Sequence, residues 1–190
     1  MIMKNHLKLY HGSYTKVEIP NLPMCRREKD FGRGFYLTTD RQQAEKFVKS
    51  SVDKAISAGN VPEGTHRGFV SEFEFVYEDE QVKVYEFLKA DQEWLRCIVS
   101  HRKPALMPEE LRKWVDYDIL IGKIANDNTN PTILAYMNRL FGDVDSETAM
   151  NTAINLLLPY RLKNHLCFRT QKALDMLAYT GCEEVTWRIK

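Results

Sequence analysis

Apolar and polar residues alternate along two neighbouring segments in the first half of the chain. Residues 68–76 place Phe73 and Phe75 on one face, and residues 82–87 alternate in the same way. Successive side chains of a β-strand point to opposite faces, so this two-residue period predicts two strands. The acidic residues 78–80 lie between them, and we expect the two strands to form a hairpin.

A period of three to four residues indicates the helices. In residues 40–58 the apolar residues Ala44, Phe47 and Val48 recur at this spacing, and Asp40 is a suitable N-cap. Similar signals predict helices at residues 91–99, 131–141, 145–158 and 170–177, and short strands at residues 6–10, 16–19, 35–38, 117–122, 166–168 and 184–189. The strands occur in clusters rather than in regular alternation with helices, so the predicted fold class is α+β.

The composition limits the class of protein. The chain has 190 residues, which suits a single domain spanning residues 1–190. Hydrophobic residues make up 44% and charged residues 28%, a balance typical of a globular protein and not of a disordered or fibrous chain. The formal net charge of +1 gives no overall attraction to nucleic acid or to an anionic membrane, although residues 26–29 form a local basic run.

Cysteine spacing and hydropathy bear on the compartment. The four cysteines form no CxxC pair and have no spacing with histidine that is typical of a metal site, so neither a disulfide framework nor bound zinc is expected. No segment approaches the length of a membrane span, and the N-terminal residues lack the apolar core of a signal peptide. We therefore expect a cytoplasmic protein with no membrane partner.

The residues that suggest chemistry lie in the segment 30–48 and in the short strand that ends at residue 13. Gly32 and Gly34 flank Arg33, and glycine permits a positive φ or a close approach of the backbone to a flat ligand. Tyr36 follows in a short strand, where its ring is able to stack on a planar group. Phe35 points to the opposite face of that strand, so one of the two rings belongs to the core and the other is free to face a cleft.

These segments resemble the NAD-binding half of the ADP-ribosyltransferase fold, in its poly(ADP-ribose) polymerase-like branch. That branch carries an aromatic-His-Gly-Ser/Thr strand, matched by residues 10–13, and a Phe-Gly-x-Gly-aliphatic-Tyr strand, matched by residues 31–36. Over most of its length, including residues 124–127 and 166–170, the chain also resembles an uncharacterised bacterial family of that superfamily. Members of that family are often encoded beside a small partner, in the manner of toxin–antitoxin pairs. The resemblance implies split antiparallel sheets with surrounding helices.

The resemblance implies NAD-binding roles for the first motif. His11 would hydrogen-bond a ribose hydroxyl in the adenosine half of NAD, and the Gly12 backbone would pair with the nicotinamide amide. Ser13 is placed to bond the same amide, although serine is equally common in a turn. Judged without the resemblance, a histidine at the end of a strand is more often a surface or core-edge residue.

The second motif would supply the rest of the cleft. By the resemblance, Tyr36 would stack on nicotinamide, in a cleft that Phe31 and Gly34 also line, and Phe35 is left for the core. Arg33 would contact the NAD diphosphate or an acceptor, although a solvated loop arginine is nearly as common at such a position.

The third element of the family site departs from the family pattern. There, a Glu or sometimes a Gln opens a late strand and holds the 2′-hydroxyl of the nicotinamide ribose, and the matching position here is His165. A neutral imidazole bonds a hydroxyl but supplies no negative charge to a developing cation. Gln171 and Glu183 are nearby polar alternatives that rank below it. Strand alternation sets His165 on the face opposite to Leu166, and we expect it to face the cleft.

Asn126 and Asp127 are additional candidates for the NAD cleft, because they occupy a polar loop after the predicted strand at residues 117–122. Their alternative role is turn capping, which both residue types perform by bonding the backbone.

The resemblance makes NAD the substrate and implies no metal and no further cofactor. It favours a mono-ADP-ribosyltransferase, of the toxin kind, with His165 and Arg33 as its catalytic residues. The acceptor is left open between protein, nucleic acid and small molecule, and a small antitoxin-like protein is a candidate partner. The alternatives are an NAD glycohydrolase, in which water replaces the acceptor, and a catalytically degenerate fold that binds NAD-like ligands or a protein partner.

Overall fold

Strands and helices were assigned in a computed structural model, which describes residues 6–77, 82–124, 129–157 and 163–188. The strands within these residues are β1 (His6–Ser13), β2 (Phe35–Leu37), β3 (Arg67–Val76), β4 (Val84–Glu86), β5 (Ile119–Lys123), β6 (Asn164–Phe168) and β7 (Leu177–Thr186). The α-helices are α1 (Arg41–Ser57), α2 (Gln92–Arg102), α3 (Pro108–Arg112), α4 (Asn130–Met137), α5 (Glu147–Leu157) and α6 (Gln171–Leu174).

The strands form two sheets that meet at one edge. The first sheet has the order β1-β3-β7 and is antiparallel throughout, and the second has the order β2-β6-β5-β4. An isolated antiparallel bridge between Tyr10 and Thr38 joins β1 to the end of β2, with backbone hydrogen bonds of 2.8 and 3.0 Å. Two mostly antiparallel sheets, with six α-helices in the described residues, confirm the predicted α+β class.

The apolar core lies in layers on both sides of these sheets. The layer between the sheets contains Leu9 of β1 and Phe73 and Phe75 of β3, together with residues of β2, β5 and β6. Helix α1 packs Ala44, Val48 and Val52 against the outer face of the first sheet. Helices α2, α4 and α5 cover the outer face of the second sheet. Both faces of each sheet are therefore shielded around their centre.

The predicted hairpin between residues 68–76 and 82–87 is wrong. Strand β4 lies in the second sheet, where it pairs in parallel with residues Ile119 to Ile121 of β5. Both edges of β3 are already occupied, by β1 and by β7, so no edge remains for β4. An aspartate ties β4 to its partner, because the Asp118 carboxylate accepts a hydrogen bond of 2.8 Å from the Lys83 backbone nitrogen.

The observed first residues of the helices agree with the sequence prediction better than the observed last residues do. Asp40, Asp91 and Thr170 each accept a hydrogen bond from a backbone nitrogen in the first turn of their helices, as N-caps do. The helix predicted at residues 170–177 is shorter than expected, since α6 ends at Leu174 and β7 begins at Leu177. Residues 16–19 form no strand. Within the described segments, every helix is too short or too polar to cross a membrane.

Candidate functional site

His11 lies where the two sheets separate. Its Nδ1 donates a hydrogen bond of 2.8 Å to the backbone oxygen of Tyr36, which joins β1 to β2 beside the Tyr10–Thr38 bridge. Burial lowers the pKa of His11, and the bond to Tyr36 opposes that shift only in part. The ring is therefore neutral near pH 7, and with Nδ1 donating, its Nε2 is an acceptor.

Gly12 and Ser13 have structural roles at the end of β1. A Cβ atom on Gly12 would lie 2.1 Å from the backbone oxygen of Ala44, so glycine is needed for the close packing of α1 on β1. The backbone N–H and C=O of Tyr10 point toward Thr38, and those of Gly12, two residues on, point to the same side. The Ser13 hydroxyl accepts a 3.5 Å hydrogen bond from the Thr15 backbone nitrogen, which matches the turn role.

Tyr36 holds the glycine loop against the second sheet. Its hydroxyl donates a hydrogen bond of 2.8 Å to the Gly32 oxygen and accepts one of 3.0 Å from the Phe31 nitrogen. The half-buried ring lies 5.1 Å from the ring of His165, centre to centre. Burial raises the pKa of Tyr36 well above its usual value, so the hydroxyl stays protonated and able to donate.

His165 is buried on the predicted face of β6 but is covered by aromatic rings. It is 4% exposed, and the Phe31 ring meets it edge-on at 4.9 Å. Its Nε2 has no hydrogen-bond partner, which is uncommon for a buried polar atom. Burial lowers the pKa of His165 to about 4, with Arg102 also lowering it and Asp30 opposing, so the ring is neutral at pH 7.

Phe31 belongs to the core in this conformation. Its side chain is fully buried and stacks on Phe87 at 5.6 Å between ring centres. Leu166 and Phe168 lie in the layer between the sheets, whereas Cys167 lies with Phe31 on the outer side of the second sheet. The alternation expected for β6 is therefore present.

The candidate residues lie on two faces of β2. His11 contacts the Phe35 ring, with centres 4.4 Å apart, on the side of the core between the sheets. Tyr36 points to the other face, where it contacts His165. A ligand that contacts both His11 and His165 has to pass the edge at which β1 and β2 separate.

Gly34 and Arg33 differ in their surroundings. A Cβ atom on Gly34 would lie 2.4 Å from the Sγ of Cys167, so this glycine permits close packing of the loop on β6. The exposed Arg33 side chain lines a pocket of about 500 Å³, and neither His11, Tyr36 nor His165 lines it.

Three further polar residues near the site were missed at the sequence level. Arg102 donates through Nε and Nη2 to Oδ1 of Asp30, at 2.9 and 2.5 Å, and both side chains are largely buried. Asn164 has a buried Oδ1 without a hydrogen-bond partner, directly before His165. Asp30 and Arg102 are 72 positions apart, so no local pattern connects them.

The remaining candidates do not join this group in the described structure. The Gln171 amide donates to Asp175, the residue after α6, at 2.8 Å, and Glu183 forms an ion pair with Arg41 beside the first sheet. Asn126 and Asp127 lie outside the described residues.

Comparison with known proteins assigns the sequence to a family. The model of the DUF3990 family, described as a protein of unknown function, matches residues 7–179. No curated protein shows significant similarity to the sequence.

Proposed function

The chain belongs to the DUF3990 family, and from the groups gathered where its two sheets separate we propose that it is an NAD-dependent mono-ADP-ribosyltransferase of the ADP-ribosyltransferase superfamily. The observation that carries this proposal is that Tyr36 contacts two histidines that are distant in sequence, one on each face of β2. His11 bonds the Tyr36 backbone at 2.8 Å, and the Tyr36 ring lies 5.1 Å from His165. The resemblance of residues 10–13 and 31–36 to the NAD-binding motifs supports the same role.

In this proposal each group binds one part of NAD. The half-buried Tyr36 ring stacks on nicotinamide, and the Gly12 backbone bonds its amide, on the side where β1 and β2 separate. Neutral His11 accepts a hydrogen bond at Nε2 from a ribose hydroxyl of the adenosine half. Neutral His165 accepts one at its unpartnered Nε2 from the nicotinamide ribose. Arg33 contacts a phosphate group of NAD or of the acceptor.

The chemical step follows from this binding. The bond between C1′ and the nicotinamide nitrogen breaks, and nicotinamide leaves neutral with the bonding electron pair. The acceptor then attacks C1′ with a lone pair and loses its proton. His165 orients the ribose hydroxyl but adds no negative charge near the developing cation, so we expect slow turnover.

The enclosure of His165 favours one second candidate function, a degenerate transferase fold that binds NAD-like ligands without turnover. Phe31 and Tyr36 cover the ring, which is 4% exposed, so the ribose reaches Nε2 only after residues 30–34 move. Binding without nicotinamide release would distinguish this candidate from transfer. Nicotinamide release without any acceptor would indicate a glycohydrolase, in which water attacks C1′.

Calorimetry with NAD and chromatography of released nicotinamide test the proposal together. Tyr36→Ala removes the stacking ring, and a loss of roughly 1–3 kcal/mol of binding free energy is expected. Phe47→Ala is the matched control, because Phe47 is an exposed aromatic residue on α1. Unchanged NAD affinity in the Tyr36 variant, or no NAD binding by the unaltered protein, would refute the proposal. The acceptor and a small antitoxin-like partner remain to be identified by the same assay with candidate proteins added.

A further inference from the structure

A pocket of about 500 Å³ lies between the loop that precedes β2 and the C-terminal end of α2. Arg27 and Arg33 line it from the loop, and Lys103 lines it from the residue after α2. Another part of the lining is apolar and consists of Pro104, Ala105 and Leu111. The pocket therefore combines a basic surface with an apolar one.

The basic surface carries an excess of uncompensated positive charge. Arg27, Arg33 and Lys103 are exposed, and they form no ion pair with any residue in the described part of the chain. Arg102 also lines the pocket, but its charge is compensated by Asp30 at 2.5 Å. The lining therefore carries three cations without an ion-pair partner and one carboxylate, that of Glu28.

The polar groups at the base of the pocket are already bonded to protein. The Gly32 nitrogen donates to the Lys29 oxygen at 3.0 Å, and the Gly32 oxygen accepts from Tyr36. His101 donates through Nδ1 to the Cys97 oxygen at 2.8 Å, and its Nε2 lies 3.4 Å from Nη2 of Arg169. Among the cationic side chains of the lining, Arg27, Arg33 and Lys103 are therefore the ones available to hold an anionic ligand.

Lys29, two residues after Arg27, has more positive than negative charge around it. Burial lowers the pKa of Lys29, and the positive charges of Lys54, Arg26 and Arg102 lower it further against the opposing effect of Asp30. Burial also lowers the pKa of His101 to about 4, so that ring is neutral at pH 7.

Lys103 alone would not indicate a ligand site. Cations are favoured at the C-terminal end of any helix because the helix dipole is negative there. Arg27 and Arg33 have no such role, since they come from the loop on the other side of the pocket. Two guanidinium groups beside a lysine match phosphate oxygens well, because each guanidinium donates two parallel hydrogen bonds.

We propose that this pocket binds an organic phosphate of about the size of a nucleoside diphosphate. The phosphates contact Arg27, Arg33 and Lys103, and the organic part packs on the apolar lining. The pocket volume lies in the range of small-molecule sites and is far larger than inorganic phosphate needs. The inference deepens the role of Arg33 in the proposed function, but it is testable without NAD.

Calorimetry with ADP at low ionic strength is the direct test, with adenosine as the ligand that lacks phosphate. Arg33→Gln and Lys103→Gln are each expected to weaken ADP binding about tenfold, which corresponds to about 1.4 kcal/mol. Lys89→Gln is the matched control, since Lys89 is an exposed lysine that lines a different pocket, and it should leave ADP affinity unchanged. All three exchanged residues are exposed, so thermal unfolding should be similar across the set.

A second arm identifies the source of the phosphate. If the same two variants weaken NAD binding about tenfold, the pocket takes the diphosphate of NAD; if NAD affinity is unchanged, it takes a separate phosphorylated ligand. Absence of ADP binding at ~1 mM, or equal loss in the Lys89 control, would overturn the inference. Nicotinamide release from NAD would then still support the proposed function. ADP binding without NAD binding would refute the proposed function and leave this inference standing.

Discussion

The hydroxyl of Tyr36 is hydrogen-bonded to the backbone oxygen of Gly32 at 2.8 Å, so a side chain of β2 holds the loop that leads into the same strand. Gly32 has a φ of 75°, and a Cβ atom there would lie 2.5 Å from Cδ2 of His101. Glycine at this position therefore allows both the turn and its close approach to α2. This hydrogen bond, with the one that the same hydroxyl accepts from the Phe31 nitrogen, helps to hold the loop that covers His165.

Tyr36→Phe is expected to lower the free energy of unfolding by roughly 1–3 kcal/mol, because the Gly32 oxygen and the Phe31 nitrogen lose their shared partner. Urea unfolding at neutral pH measures the change. Tyr85→Phe is the control, since the Tyr85 hydroxyl bonds the Glu93 carboxylate at an exposed position. An equal loss in both variants would show that the Tyr36 hydroxyl does not hold the loop.

Asp30→Asn is expected to destabilise the fold by about 3 kcal/mol, because it leaves the guanidinium of Arg102 largely buried without its anion. The exposed pair of Glu109 and Arg112 provides the comparison, since both side chains are about three-quarters exposed. Glu109→Gln should change the free energy of unfolding by less than about 1 kcal/mol. Similar values for the two variants in urea unfolding would contradict the importance of the buried pair.

Stability should fall as the pH decreases from 6.5 toward 4, partly through His165. Its pKa is 6.5 in an unfolded chain and about 4 here. The unfolded state therefore binds more protons in this interval, and the stabilisation is complete above pH 6.5 and lost as the pH approaches 4. The shift corresponds to roughly 3 kcal/mol.

His165→Gln removes this contribution, so the difference in unfolding free energy between neutral pH and about pH 5 should become smaller. His66→Gln is the control, because His66 is exposed. His101 also has a pKa lowered to about 4 by burial and keeps part of the dependence in both variants. An identical pH dependence in the His165 variant and the unaltered protein would be the contrary result.

Gly34→Ala should destabilise the fold by roughly 1–3 kcal/mol, because the new methyl group would meet the Sγ of Cys167 and the Phe168 oxygen at 2.4 and 2.7 Å. Gly181→Ala is the matched control on β7, where a Cβ atom meets no other atom within 4 Å. Thermal unfolding of the two variants compares them directly. If Gly34→Ala unfolds at the same temperature as the unaltered protein, close packing is not the reason for glycine at this position.

The helix signals in the sequence were reliable because capping is local. Asp40 accepts from the Gln43 nitrogen at 3.1 Å, and Asp91 accepts from the Trp94 nitrogen at 3.2 Å. Each contact spans three residues, so the residue types alone specify it. The strand predicted at residues 68–76 was equally clear, because Phe73 and Phe75, which are buried, alternate with Glu72 and Glu74, which are not.

The partner of each strand was not determined locally. Residues 82–87 have a strand pattern, yet β4 joins β5, which lies more than 30 positions further along the chain, because β3 has no free edge. The roles of the glycines in the two motifs were likewise not determined by the local sequence. Gly12 and Gly34 suggested contact with a ligand, whereas the structure shows that Ala44 and Cys167 leave no room for a side chain.

For the candidate site, the sequence by itself determined which residue types occur in the two motifs, that a histidine stands at position 165, and the face of β6 on which it lies. Only the tertiary structure decided that Phe31 and Tyr36 cover His165, that Asp30 pairs with Arg102, and that Arg33 lines a separate basic pocket. The physical reason is the distance along the sequence over which each interaction acts. Capping and strand alternation act over a few residues, whereas burial, ion pairing and pocket shape depend on segments that only folding brings together.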